Sequence, residues 1–346
     1  MDRKTLLSRL DSIGWKTVLP EDSLDRLCDL GLRGDSYELA VIAGELAIEC
    51  QPITLRGLFY RVVSTGFFPS TAKKYYDKLQ RLLSSLRDAG WIPYDWIVDN
   101  LRATIKPSSW SGLEDFTDTV RGAYRKDFWA SLPNYVHIFV EKDAMTGVIE
   151  PVTRELDVSL SPVRGYVSDS YAWTVGSEFR DIDKPIKCFY IGDFDPSGFD
   201  LERSLREKIE KHSGKPVLDN EPIDEHLFSR GAVKAGDILQ DEYKREHGLN
   251  VITWERIALV EEDFGNHQLI ELDVKLTDTR SKSFIEEHGT RCAEVDALNP
   301  NEIRRRVRDS IMQYVPNDQW ERLREIEQLE RETWESTLGQ FAGGDQ

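Results

Sequence analysis

The chain has 346 residues, 40% of them apolar, and a formal net charge of −17. This length favours two domains over one, and the apolar share is ample for ordinary cores. No stretch approaches the roughly 18 uninterrupted apolar residues of a membrane span, and the charged opening Met1-Asp-Arg-Lys4 lacks the apolar core of a signal peptide. We therefore expect a cytoplasmic protein with no membrane partner. Four scattered cysteines without a Cys-x-x-Cys pair predict neither a zinc site nor a disulfide framework.

The first half of the chain has the layout of a winged helix-turn-helix domain at residues 36–125. It follows an N-terminal appendage, residues 1–35, to which we assign no function. Helical patterning covers three segments, at roughly 36–50, 54–65 and 71–89. Thr54 is predicted as the N-cap of the second helix and Gly66 as its stop.

The third predicted helix combines a cationic face with an apolar one. Residues 51–126, which include it, hold 12 Lys/Arg and 7 Asp/Glu, a net of +5 in an otherwise acidic chain. Because DNA binding draws on Lys and Arg that neutralise phosphates, we expect double-stranded DNA to meet this domain first. The predicted DNA-binding residues are Lys73, Lys74, Lys78, Arg81 and Arg87. The alternative is an ordinary solvated helical face.

The second predicted helix carries a tyrosine at the flank of its apolar stripe. Tyr60 lies one turn after Arg56, so we expect its hydroxyl to project from the domain with the guanidinium alongside. A tyrosine nucleophile needs such a cation, because the free phenol has a pKa of about 10 and the phenolate is the attacking form. A tyrosine at a core edge is also common as simple packing.

Two apolar runs further along the chain end in acids. Tyr135–Val140 is followed by Glu141, and a second run is followed by Asp193 and Asp195. Ligands of parallel α/β sheets bind outside the carboxyl ends of the strands, where these three carboxylates would meet. Crowded carboxylates favour a cation, and oxygen ligands suit Mg²⁺, so the implied chemistry is phosphoryl transfer. The pair Asp195-Pro196 is equally typical of a helix start, with Asp as N-cap.

These motifs together resemble a known family. Val140-Glu-Lys-Asp-Ala144, followed by Gly192-Asp-Phe-Asp-Pro-Ser-Gly198, is similar to a Toprim domain. Ile53-Thr-Leu-Arg-Gly-Leu-Phe-Tyr60 resembles the tyrosine motif of the topoisomerase VI A subunit and its meiotic relatives, and Ala293-Glu-Val-Asp-Ala-Leu298 resembles a Glu-containing segment of the same family. The matches occur in the family's order and cover most of residues 36 to 315.

The resemblance implies a fold of the α/β plus α class. An N-terminal winged helix-turn-helix domain of CAP type would be followed by a Toprim α/β domain with a parallel sheet at residues 133–315. Residues 316–346 would form a C-terminal helix and tail. Asp143 and Asp200 lie near the same strand ends, where they would either support the metal ligands from behind or be plain surface acids, and we expect the latter. Lys142 is expected to face the side opposite Glu141.

The resemblance also implies an activity. Tyr60 would attack a DNA phosphate and leave a covalent phosphotyrosyl double-strand break, with Arg56 and Glu141 as further catalytic residues. Glu141, Asp193 and Asp195 would bind Mg²⁺, with Mn²⁺ as a substitute. In the family the tyrosine of one protomer meets the Toprim metal of the other, so a homodimer around DNA is implied.

The chain departs from the family pattern at one position and leaves alternatives open. Gly57 follows Arg56 where the family motif has an acidic residue. The sequence has no P-loop and no segment resembling the ATPase of the B subunit, so such a subunit would be a separate partner. The alternatives are a metal-dependent hydrolytic DNA nuclease of defence type, in which Tyr60 is structural, and a catalytically silent DNA-binding module. Glu294 stands out among the later acids because it lies in a family-like segment.

Overall fold

The computed structural model describes residues 23–98, 108–163, 165, 167–220, 240, 243–246, 250–316 and 319–342. The N-terminal appendage of the sequence analysis therefore lies mostly outside the described residues, as do residues 99–107 of the predicted winged domain.

The N-terminal half is a helical unit with one short pair of parallel strands, which join Ile53 to Ile97 and Thr54 to Val98. The three predicted helices of this half agree with the structure to within two residues at each end. Thr54 caps the second of them as expected, because its Oγ1 accepts a hydrogen bond from Gly57 N at 2.8 Å. The elements are α1 (Ser23–Asp29), α2 (Asp35–Cys50), β1 (Ile53–Thr54), α3 (Leu55–Ser64), α4 (Lys73–Asp88), β2 (Ile97–Val98) and α5 (Leu113–Ala123).

The second half is built on a five-stranded parallel sheet. Its strands lie in the order β4 (Ser159–Pro162), β3 (Tyr135–Val140), β5 (Ile186–Ile191), β7 (Ile252–Ala258) and β6 (Val217–Asp219). Its central strand β5 is buried at every position, which is typical of a parallel strand that is covered on both faces. The fold is therefore mixed α/β with additional helices, as predicted. The strands and covering helices are β3 (Tyr135–Val140), α6 (Asp143–Glu155), β4 (Ser159–Pro162), α7 (Asp169–Asp181), β5 (Ile186–Ile191), α8 (Pro196–Ser213), β6 (Val217–Asp219) and β7 (Ile252–Ala258).

The C-terminal elements pack on both halves. Arg304 on α11 (Pro300–Met312) donates hydrogen bonds to the carbonyls of Cys50, Gln51 and Pro52, and so ties the sheet half to the end of α2. Among the described residues, no helix combines the length and apolar character needed to cross a membrane. These elements are α9 (Asp263–Asn266), β8 (Leu272–Asp273), α10 (Ser281–His288), β9 (Arg291–Cys292), α11 (Pro300–Met312) and α12 (Gln319–Ala342).

Candidate active site

The register of the two central strands brings two of the predicted acids together. Val140 pairs with Ile191, so β3 and β5 end level with each other. Glu141 leaves the sheet beside the loop that follows β5, and its Oε2 accepts a hydrogen bond from Asp193 N at 2.8 Å. The predicted meeting of carboxylates at this sheet edge is thus present for Glu141 and Asp193.

Two glycines of the second motif let the Glu141 carboxylate approach the backbone. A Cβ atom placed on Gly192 would lie 2.7 Å from Glu141 Oε2, closer than real Cβ contacts come. A Cβ atom on Gly198 would lie 2.4 Å from the carbonyl oxygen of Asp193 and 3.1 Å from Glu141 Oε2. The two glycines therefore form a cradle for one carboxylate, which explains their presence in the motif.

Asp195 caps a helix, as the second interpretation of its motif predicted. Its Oδ1 accepts a hydrogen bond from Gly198 N at 2.7 Å, and Pro196 follows at the first position of α8. Asp200 is bound to Arg203 and Arg280, which lower the pKa of its carboxyl. Asp143 is buried rather than at the surface, contrary to the prediction, because it opens α6 directly under the sheet edge.

Lys142 faces the acids, and the expectation that it would point away from Glu141 is wrong. Its Nζ lies 2.9 Å from Asp193 Oδ1, 2.9 Å from Asp296 Oδ2 and 3.1 Å from Glu294 Oε2. Side chains alternate only within a strand, whereas β3 ends at Val140 and Lys142 is already the N-cap of α6. The single ammonium group of Lys142 thus forms ion pairs with three carboxylates.

The nearby cations do not fully compensate the two acids at the sheet edge, Glu141 and Asp193. Burial raises the pKa of Glu141 to about 7, and the nearby charge of Asp193 adds to the rise. Burial also raises the pKa of Asp193 to about 6, although Lys142 and the N–H of Val295 oppose the rise. A further cation would lower both pKa values, because it would favour the ionised carboxylates.

Tyr60 is buried, and the expectation that its hydroxyl projects from the domain is wrong. Only 3% of the residue is exposed. Burial raises the pKa of Tyr60 to about 12, the charge of Glu294 adds to the rise, and Arg56 opposes it. The flank of α3 that carries Tyr60 is covered by the short turn Val295–Ala297 of the sheet half, which a helical pattern alone does not reveal.

Arg56 does lie beside Tyr60, but it is engaged with another residue. Its guanidinium carbon is 5.7 Å from the centre of the Tyr60 ring. The same guanidinium forms a two-point ion pair with Glu294, with 2.7 Å between Nε and Oε2. Burial alone would raise the pKa of Glu294, yet Arg56 and Lys142 lower it. The segment 293–298 thus links the tyrosine helix to the acids.

Asp296 is a further acid of this site that the sequence patterns did not indicate. Its carboxylate accepts hydrogen bonds from Thr54 Oγ1 at the start of α3 and from Lys142 Nζ. The available signal was its place in the family-like segment 293–298, two residues after Glu294.

The five predicted DNA-binding residues lie along α4. Lys73, Lys74 and Arg81 are exposed, whereas Lys78 is half-buried with its ammonium 5.8 Å from the Phe67 ring. Arg87 is also half-buried and donates a hydrogen bond of 2.8 Å to a carbonyl, that of Tyr94. Only Arg87 of the five lines the cleft beside the acids.

This cleft separates α3 and α4 from the sheet edge and has a volume of about 620 Å³. Its wall includes Arg56 and Arg87 on the helical side and Lys142, Asp193 and Glu294 on the sheet side. The candidate nucleophile's neighbours and one predicted metal ligand therefore border the same space within one chain.

The carboxylates of Glu141, Asp193 and Asp195 are the kind of oxygen ligand that a divalent cation takes, although some of their oxygens already accept hydrogen bonds. Over the part of the chain that the structure describes, no group of three or more His, Cys, Asp or Glu side chains is arranged to hold a metal ion as it stands. One carboxylate oxygen in each of Glu141, Asp193 and Asp195 accepts a hydrogen bond from a backbone N–H. The glycine cradle and the raised pKa values of Glu141 and Asp193 are the features that fit a cation.

Comparisons of the chain with protein-family models, with curated proteins and with solved structures return no match in any of the three. The family resemblance therefore rests on the motifs in the sequence.

Proposed function

We propose that this protein is a Mg²⁺-dependent DNA-cleaving enzyme of the topoisomerase VI A type, with a CAP-like winged helix, a Toprim domain and Tyr60 as nucleophile. One observation carries the proposal. The Arg56 guanidinium carbon lies 5.7 Å from the centre of the Tyr60 ring, Arg56 pairs with Glu294, Glu294 binds Lys142, and Lys142 binds Asp193. The candidate nucleophile and the acids are thereby connected through a series of neighbouring charged side chains.

This chain of contacts gives each side chain a role. A phenol becomes an effective nucleophile when a base takes its proton and a cation stabilises the phenolate. Glu294 would accept the proton, and Arg56 would stabilise the phenolate. Because Arg56 and Lys142 lower the pKa of Glu294, Glu294 becomes a stronger base when Arg56 turns from it towards a DNA phosphate.

The cleavage step balances as a transesterification. The Tyr60 oxygen forms a bond to phosphorus, the bond from phosphorus to the 3′ oxygen breaks, and the phenol proton passes to Glu294. Glu141, Asp193 and Asp195 would hold Mg²⁺ or Mn²⁺, which would polarise the phosphate and stabilise the leaving oxygen. Lys142 keeps Asp193 oriented towards the cleft.

The proposed substrate and partners follow from the charge distribution. The exposed Lys73, Lys74 and Arg81 on α4 would contact the phosphates of double-stranded DNA, with Lys78 and Arg87 beside them. A homodimer would cut both strands. Strand passage would need an ATPase subunit of B type from another chain.

A hydrolytic Toprim nuclease is the second candidate, and the burial of Tyr60 favours it. A phenol that is 3% exposed and has a pKa of about 12 cannot meet a phosphate without movement of the turn Val295–Ala297. In that case water would be the nucleophile, and Tyr60 would only pack between the two halves.

The test is incubation of the purified protein with supercoiled plasmid and Mg²⁺ or Mn²⁺, stopped with denaturant and analysed with and without proteinase. Linear DNA that enters the gel only after proteolysis supports the covalent mechanism. Tyr60→Phe should then abolish cleavage, while the control Tyr75→Phe, on a ring that stacks on Phe68, should retain it. Free linear or nicked DNA, unaffected by Tyr60→Phe, would establish hydrolysis. Absence of cleavage by the wild type under all conditions would favour the silent DNA-binding module.

A further inference from the structure

Arg256 lies directly behind the loop that carries the acids. It sits on β7 beside Tyr190 of β5, and its side chain is only 10% exposed. Its Nη1 donates to three carbonyl oxygens: those of Gly192 and Asp193, each at 3.2 Å, and that of Leu259 at 3.1 Å. Two of these carbonyls belong to the acid loop, which comprises residues 192–195 between β5 and α8.

The other side of the guanidinium is anchored on α8. Arg256 Nε lies 2.7 Å from Glu202 Oε2, and Glu202 Oε1 accepts a bond of 2.7 Å from the indole of Trp254. The side chains of Arg256 and Glu202 are both almost fully buried, so either charge would destabilise the fold if its partner were removed. Because α8 begins at the Asp195 cap, this ion pair connects the loop to the helix that follows it.

Two aromatic rings restrict the guanidinium further. Its carbon lies 4.2 Å from the centre of the Phe199 ring and 5.1 Å from that of Tyr190. Cations are attracted to ring faces at such distances. The position of Arg256 is therefore fixed by an ion pair, three carbonyls and two rings.

The peptide groups on both sides of Asp193 are held by different residues. Its N–H donates to Glu141 Oε2, and its carbonyl accepts from Arg256. When both peptide groups are fixed, the direction of the Cα–Cβ bond is fixed, and with it the direction in which the carboxylate leaves the backbone. Asp193 Oδ1 then meets Lys142 and the N–H of Val295.

We propose that Arg256, anchored by Glu202, is a positioning residue that sets the direction of the Asp193 carboxylate for binding of a divalent cation. Arg256 does not line the cleft beside Arg56 and Lys142, so it contributes no DNA contact there. Lysine cannot replace it, because one ammonium group cannot reach three carbonyls and a carboxylate in the fixed fork geometry of a guanidinium. The inference rests on the proposed function, in that the acids bind a cation.

The test is the affinity of the full-length protein for Mn²⁺, measured by electron paramagnetic resonance at constant pH. Loss of a residue that orients a metal ligand lowers metal affinity roughly 10- to 100-fold, and we expect this for Arg256→Lys and Arg256→Met. The matched control is Arg203→Met on α8, whose side chain is 60% exposed and pairs with Asp200 and Glu207 of the same helix. It should bind Mn²⁺ like the wild type. DNA affinity measured without metal should be the same for all variants.

The result that overturns the proposal is a folded Arg256→Lys protein with wild-type Mn²⁺ affinity. If the Arg256 variants do not fold, Glu202→Gln, which keeps a hydrogen-bonding amide but loses the charge, should still lower the affinity to a smaller extent, and wild-type affinity would refute the proposal. If the wild type binds no Mn²⁺, the metal in the proposed function is refuted. The positioning role is then judged separately by hydrogen exchange at the amides of Asp193 and Val295. Faster exchange in Arg256→Lys at unchanged global stability supports it, and unchanged exchange refutes it.

Discussion

Replacement of Gly198 by alanine tests the cradle that holds the Glu141 carboxylate. The added methyl group would lie 2.4 Å from the carbonyl oxygen of Asp193. The obstructing atom belongs to the backbone, so no side chain can turn aside to make room. Either α8, which Asp195 caps, or the loop that carries Asp193 must shift, so a residue of the candidate metal site moves in both cases.

The expected loss of stability is moderate, whereas the loss of activity is large. Overpacking of this kind costs about 1–3 kcal/mol, and alanine in a helix returns about 1 kcal/mol relative to glycine. We therefore expect the free energy of unfolding to fall by about 0–2 kcal/mol. A displacement of about 1 Å at a catalytic centre lowers the rate by about 100-fold. Plasmid cleavage should consequently fall by about two orders of magnitude.

The assay compares three glycine substitutions in parallel, each measured by urea unfolding and by the initial rate of plasmid cleavage. Gly176→Ala places a methyl group 2.6 Å from His212 Cβ, between α7 and the end of α8 and away from the acids. It should destabilise the protein as much as Gly198→Ala but leave the cleavage rate within a few-fold of the wild type. Gly265→Ala meets nothing within 4 Å, so it should not lower the stability and should leave the cleavage rate unchanged.

Wild-type cleavage by Gly198→Ala would refute the reasoning, because the close approach of Glu141 to bare backbone would then have no catalytic consequence. Equal loss of activity in Gly176→Ala would also refute it. The loss would in that case reflect general destabilisation rather than the geometry of the acid loop.

Three further predictions concern charge and the junction of the two halves. Without metal, the free energy of unfolding should fall as pH rises from about 4.5 to about 7, because the raised pKa values of Glu141 and Asp193 make the folded state bind protons that the unfolded state has lost. In urea titrations at a series of pH values, Glu141→Gln should flatten this dependence, and an unchanged slope would contradict the assigned pKa. Thr54→Val removes the N-cap of α3 and should lower the stability by about 1 kcal/mol in thermal unfolding, while Thr54→Ser should retain it. Arg304→Met leaves carbonyls of residues 50–52 without their donor and should cost about 1–3 kcal/mol. A loss no larger than that of the surface control Arg305→Met would show that water replaces those bonds.

The sequence predicts elements whose signals are local. Helices α2, α3 and α4 follow from apolar periodicity and from caps such as Thr54, which act within a few residues of each other. The meeting of Glu141 with Asp193 is also predictable, because the carboxyl ends of neighbouring parallel strands share one edge. The dipeptide Asp195-Pro196 by itself predicts that Asp195 caps a helix.

Features that depend on the packing of the two halves are not predictable in this way. Tyr60 is at the flank of the apolar stripe of α3, and a helical pattern cannot tell that a turn from more than 200 residues later covers this flank. Lys142 follows a strand, but its direction is decided by three carboxylates, two of which come from the segment 293–298. Such contacts require the tertiary fold.

The charges around the cleft bear on the order in which DNA and the divalent cation of the proposed function would bind. A DNA phosphate is repelled by each nearby carboxylate by about 4 kcal/mol at 4 Å and an effective dielectric constant of about 20. The carboxylates near the cleft outnumber the cations by five to three. The carboxylates are Glu141, Asp193, Asp195, Glu294 and Asp296, and the cations are Arg56, Arg87 and Lys142. This excess of negative charge remains although Arg56 and Lys142 are already paired with acids. In the proposed function, the exposed basic residues on α4 would hold the duplex at the helical half, and a phosphate would enter the acid edge only after a divalent cation had reduced the negative charge of that edge. Metal binding is therefore expected to precede productive DNA binding, and the affinity for DNA should rise on addition of Mg²⁺ in the wild type but not in Asp193→Asn.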